Sequence, residues 1–237
     1  MSLINFVLME YQKSKGNRTF LITVIGALLL PIAVAVGQYF LKFIPMPMAT
    51  DLTFGTYLSF FSIIFAAVII NHLFTVDIET HTLKSIIPLP VSRAEYVAGK
   101  LLTLLVWMVA LALITVVASL ILFPLVGMSG FNLNEILNSS GMFLIGTVLL
   151  FIVMIPIAFV MVATKNTSAT LVLSVLLIFL GGLPVDQLKY NPWNLPSKIA
   201  TQPHSPDTLP YLAVIIVTGI IGYFLLRYVF SKRDIYL

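Results

Sequence analysis

The sequence predicts an all-α, polytopic membrane protein with six transmembrane helices, and three observations carry that prediction. The chain is 59% hydrophobic and only 9% charged, where an average soluble domain is about 45–50% apolar and about 25% charged. Its mean hydropathy is +1.06. Its charges leave uncharged runs at 19–41, 52–76, 101–134, 136–164, 166–185 and 208–226, of 23, 25, 34, 29, 20 and 19 residues. A soluble globule so poor in charge would expose apolar patches well beyond those that monomers tolerate. Lipid is therefore the solvent for most of the chain.

Each run meets the requirement of about 20 mainly apolar residues for crossing a hydrocarbon core. A closed β-barrel would instead show segments of about ten residues with strict alternation, and residues 171–180 are apolar on every face. The spans are expected at about 19–41, 52–76, 98–124, 136–163, 167–185 and 209–230, within a single membrane domain over 1–237. The longest connections, 77–100 and 186–209, are too short to fold alone. Because the first run follows Lys13, Lys15 and Arg18 and lacks a small-residue cleavage pattern, it reads as a retained span.

Ahead of it, residues 2–16 place Leu3, Phe6, Val7 and Tyr11 on one helical face, which suits an interfacial helix in the headgroup layer. With the N-terminus in the cytoplasm, ten of the thirteen lysines and arginines fall on that side, leaving Lys42, Lys189 and Lys198 outside. The bias orients the protein in a cell membrane with both termini cytoplasmic. It also accounts for the net charge of +4 without nucleic acid as a partner.

The connection between spans two and three is the most informative. In residues 77–87, DIETHTLKSII, Asp77 suits an N-cap, and Ile78, Leu83, Ile86 and Ile87 give a short helix an apolar side. Pro88 and Pro90 stop it. Ser92 and Glu95 then have capping-box spacing for the next helix, and span three runs inward from Lys100. The later connection at 186–209 holds Pro192, Pro196, Pro203 and Pro206, which limit any helix to one or two turns, such as 197–201. Either a re-entrant element buried in protein or a solvated loop fits.

Several chemistries are missing. No phosphate-binding G-x-x-x-x-G-K-[ST] occurs, and no cysteine. His72, His81 and His204 have no metal-ligand spacing, and His72 reads as an interfacial histidine. The G-x-S-G of Gly127 to Gly130 mimics an intramembrane serine protease, but no histidine lies in a later span to serve as base, and Gly and Ser are ordinary turn residues there. No catalytic residue, metal site or cofactor of its own is expected. Proton- and ion-driven carriers place ionisable groups within spans, and their absence implies that any uphill transport draws energy from another subunit.

On topology and on the segment from Glu79 to Leu83 through Pro88, Ser92-Arg93 and Gly99-Lys100, the chain resembles the permease subunits of type-2 ABC transporters, the small six-span exporter family. The resemblance implies a coupling helix at 77–87 that docks on a separate cytoplasmic ATPase carrying ATP and Mg. Leu83, Ile86 and Ile87 would supply contact area, and Glu79, Lys84 and Arg93 charges; Glu79 and Lys84 are otherwise solvated loop charges. It further implies short re-entrant helices before span six, a second permease copy or paralogue, and a bacterial source. Within the family, a chain with no large extracellular domain is similar to permeases for bacitracin, lantibiotics and other membrane-active peptides, which export them or confer immunity. Hydroxyls at Ser59, Ser62, Thr115, Ser119, Thr147, Thr170 and Ser174 either line a translocation path or bond to helix backbone. The competing function is a membrane immunity or scaffold protein that works without an ATPase.

Overall fold

The computed structural model describes residues 3–14, 18–41, 44–79, 93–183 and 189–232. Among them the chain is helical and holds no strand. A short helix α1 (Leu3–Ser14) precedes α2 (Arg18–Leu41). Then α3 (Met46–Thr56), a π-helical turn (Tyr57–Phe61) and α4 (Ser62–Glu79) form one continuous rod. The helices α5 (Arg93–Leu125), α6 (Leu133–Thr164), α7 (Thr167–Gly182), the short α8 (Leu195–Thr201) and α9 (Thr208–Lys232) follow. Successive long elements alternate in direction, so one end of the bundle carries α1 and the end of α9. The opposite, distal end carries α8.

Among the described residues, five stretches are long and apolar enough to cross a membrane: Arg18–Phe40, Met46–Thr75, Ala94–Leu125, Leu133–Thr164 and Thr208–Phe230. The fifth apolar run of the sequence gives α7, a 16-residue helix that ends at Gly182. Leu183 is extended, with φ −72° and ψ 131°, the geometry the following Pro184 imposes on its neighbour. At about 1.5 Å per residue α7 measures about 24 Å, less than the roughly 30 Å of a bilayer core.

Local chemistry sets the joints. Asn132 caps α6 by accepting the Asn134 N–H, and Asn166 caps α7 by accepting the Ala169 N–H, with Lys165 left-handed at φ 52° in the sharp reversal between them. The G-x-S-G segment is the turn joining α5 to α6. Gly127 and Gly130 take φ of 72° and 82°, values that suit glycine, and the Ser129 carbonyl accepts the Met46 N–H at 2.9 Å. At 77–79 the expectation needs correction: α4 runs unbroken through Asp77 to Glu79, so Asp77 opens no helix of its own. No Gly or Pro interrupts residues 62–79, so nothing ends the helix before that point.

Helix α6 is the hub, packing against α3, α4, α5, α7, α8 and α9. Its buried Phe143, Leu150, Met154, Ile157, Ala158 and Met161 run through the main core. Gly219 and Gly222 let α9 lie against Ile152 and Pro156, a small-residue contact suited to helices in lipid. Peripheral helices turn large apolar side chains outward, among them Leu21, Ile25 and Phe40 of α2 and Ile220 and Phe224 of α9. These are lipid-facing positions of a multi-pass membrane protein.

Candidate functional site

At the end carrying the termini, three elements are locked by a buried ion pair. The Lys100 ammonium lies 2.8 Å from the Glu10 carboxylate and donates to the Leu73 carbonyl at 2.7 Å. Glu10 and Lys100 are 4% and 1% exposed, so α1, α4 and α5 are tied together where little water enters. Lys13 holds the other carboxylate oxygen of Glu10 at 3.0 Å, and Lys100 also sits 5.5 Å from the centre of the Tyr96 ring. A buried pair keeps its cohesion only when its remaining hydrogen-bonding capacity is met, and the Leu73 carbonyl helps meet it.

The residue before the lysine makes the docking possible. A Cβ at Gly99 would lie 2.4 Å from the Phe6 ring, so only glycine admits α1 at this depth. Phe6 meets Tyr96 edge-on at 5.9 Å, and Tyr96 and Phe74 both contact Phe230 of α9. The apolar face expected to rest in headgroups is thus partly spent on protein, since Phe6 is buried. His72 stands edge-on to Trp107 at 5.9 Å, and Trp107 donates to Thr23.

This clamp brackets the segment expected to meet an ATPase. Glu79 closes α4 and Arg93 opens α5, with nothing described of either side chain. Leu83, Lys84, Ile86 and Ile87, with the Pro88 break and Ser92, lie outside the described residues. The Glu10–Lys100 pairing escaped sequence reasoning, because the partners are 90 residues apart and each alone reads as a flanking charge. Phe6, Glu10 and Gly99-Lys100 carry its only signal, an acid one helical turn after an aromatic residue.

The hydroxyls expected near a path divide into two kinds. Ser62, Thr147, Thr170 and Ser174 are buried, and each donates to a carbonyl one turn earlier in its own helix: Leu58, Phe143, Asn166 and Thr170. Thr115 and Ser119 do the same towards Leu111 and Thr115, and Thr115 also reaches the Ala27 carbonyl. Ser59 differs, for it lies in the π-helical turn and donates to the Ser197 hydroxyl of α8 at 2.9 Å.

That contact belongs to a second assembly, at the distal end. Helix α8 sits in a notch between the π-helical turn and α6. Ser197 also approaches the Gly55 carbonyl at 3.3 Å, and Gly146 leaves room for Leu58, Ala200 and the Pro196 carbonyl. Leu195, Pro196, Ser197 and Ile199 are buried, so this part of the Pro-rich segment is packed into protein. Asn194 donates to the Gly181 carbonyl at the end of α7. Lys189 pairs with Asp207 at 2.7 Å, and the Asp207 hydrogen bond raises the Lys189 pKa above the ordinary lysine value.

Among the described residues no group of three His, Asp or Glu side chains could hold a metal. Comparison with known proteins places the whole arrangement. The family described as ABC-2 family transporter protein matches residues 6–181, from the clamp helix to the end of α7. The chain is 31% identical over 175 residues to the bacitracin transport permease protein BCRB of Bacillus licheniformis, covering 71% of this chain and 83% of that protein. A multi-pass helical bundle with these matches is a membrane permease subunit of an ABC transporter system, and the chain belongs to the ABC-2 family of transporter proteins.

Proposed function

We propose that this chain is the membrane half of an ATP-driven exporter that moves an amphipathic peptide or antibiotic out of the cytoplasm or the inner leaflet. The observation that carries the reading is the buried Glu10–Lys100–Leu73 clamp, which binds α1, α4 and α5 into one unit around residues 80–92. A push on that connection moves three helices together instead of bending one. Helix α4 carries the displacement along the rod from Glu79 to the π-helical turn within it, where Ser59 touches α8. Rocking of this kind alternately exposes the two sides of the membrane.

The basic end is cytoplasmic on the positive-inside rule. There residues 77–93, with Glu79, Leu83, Lys84, Ile86, Ile87 and Arg93, receive the ATPase, which supplies ATP and Mg chemistry that this chain lacks motifs for. Two permeases stand side by side, because six helices enclose only a narrow path. The bacitracin permease similarity supports a membrane-active peptide as cargo.

Co-purification and turnover test the proposal together. A stoichiometric ATPase should copurify with the chain and lose substrate-stimulated ATP hydrolysis on Glu79→Ala or Leu83→Ala, with membrane insertion intact. Unchanged coupling in both variants would sink this reading.

A further inference from the structure

We propose that the cavity at the distal end of the bundle binds an aliphatic primary ammonium group, with Asp51 as its counter-ion. The proposal rests on the exporter reading and gives its cargo a chemical class. The cavity, of about 180 Å³, opens between α3, α6 and α8 and is lined by Asp51, Phe54, Asn138, Ser139, Met142 and Thr201, among others. At about 30 Å³ per water it equals some six waters, which suits an ammonium with a short aliphatic stem and excludes a whole peptide.

Its lining is chemically one-sided. Asp51 supplies a carboxylate whose Oδ1 accepts the Ser139 hydroxyl at 2.9 Å, which orients it. Among the described residues no cation comes within ion-pair distance of Asp51. The two lysines described at this end have partners elsewhere: Lys189 holds Asp207, and Lys198 donates to the Lys189 carbonyl and lies over the Tyr211 ring. Asn138 and Thr201 add neutral oxygens that can accept from the three donors of an ammonium.

Phe54 and Phe143, stacked with centroids 4.4 Å apart and 10° from parallel, add an apolar wall to the lining. An anion would meet an uncompensated carboxylate, and an alcohol would gain only a neutral hydrogen bond. The same chemistry is offered by a lysine or N-terminal amine of a peptide and by an aminolipid headgroup.

Because the chain has no cysteine, a single Met142→Cys reports on the cavity by its rate of modification with a polar maleimide. Full-length protein in phosphatidylcholine nanodiscs should be modified on the order of tenfold more slowly under saturating pentylammonium, and at an unchanged rate with pentanol or pentanoate. Asp51→Asn should abolish the protection and Asp51→Glu restore part of it. Pro203→Cys, at another lining position, serves if Met142→Cys fails to fold. Protection by pentanol equal to that by the amine, protection that survives Asp51→Asn, or no protection at all overturns the proposal.

Two further arms identify the source. Protection by phosphatidylethanolamine discs alone points to a headgroup, and protection by a dilysine amide in phosphatidylcholine discs points to a peptide amine. No ATPase is present, so a null result leaves the coupling test untouched, and failed coupling leaves this one readable.

Discussion

Lys100 shows how one side chain organises a whole end of the protein. Removing it takes the buried cation from a carboxylate that is 4% exposed and leaves Lys13 at its other oxygen; breaking one half of a buried pair costs up to about 3–5 kcal/mol. Lys100→Met should therefore lower the thermal stability of the detergent-solubilised chain by that order, and the double variant Glu10→Gln/Lys100→Met should recover most of the loss. If the double variant is as unstable as the single one, the pair is not the source of the effect. Gly99→Ala tests the neighbouring contact. Its Cβ would collide with the Phe6 ring, and overpacking typically costs about 1–3 kcal/mol, so α1 should become protease-sensitive while α2 to α9 stay protected. The pair Gly99-Lys100 was legible as a motif. The reason for it was not, because contact across 90 residues leaves no local periodic trace.

At the scale of elements, the long helices were legible because a bilayer demands continuous apolar runs, and α2, α6 and α9 begin and end close to the charges that flank them, whereas α5 stops at Leu125, ahead of the glycine turn and well short of Glu135. The π-helical turn at Tyr57–Phe61 was not legible, since one extra residue in a helical turn does not change composition. Its neighbour α8 was half legible: the prolines limited its length, but only the tertiary notch at Gly146 decided between burial and solvation. Ser197→Ala deletes the partner of Ser59 and the contact to the Gly55 carbonyl. A loss of about 1 kcal/mol is expected, read as earlier thermal melting, and an equal loss in Ser59→Ala would locate it in that hydrogen bond. Nearby, the raised Lys189 pKa sets a pH window. The contribution of its pair with Asp207 is fully present below the unfolded lysine value of 10.5 and fades as pH rises through the higher folded value. Proteolysis of the segment around Lys189 should accordingly be the same at pH 7 and pH 9 in the native chain; a rise by pH 9 would contradict the pairing.

For the molecule as a whole, scarcity of charge located the solvent and, through its asymmetry, an expected orientation. It did not reveal that two of the scarce charges, Glu10 and Lys100, would be buried as a fastener. The weak point of the bundle is α7. Its roughly 24 Å of helix packs against the longer α4 and α6 and turns Val172, Leu176 and Phe179 outward, so the annular lipid beside it must thin by several ångströms or the helix must be shielded by a second subunit. Mismatch of this kind costs fractions of a kcal/mol per ångström. Reconstituted activity should therefore peak in bilayers of shorter acyl chains and fall in longer ones, and a flat response across chain lengths would show that α7 never meets lipid. The thickness of the host membrane would then act as a regulator in its own right, tuning the permease through α7.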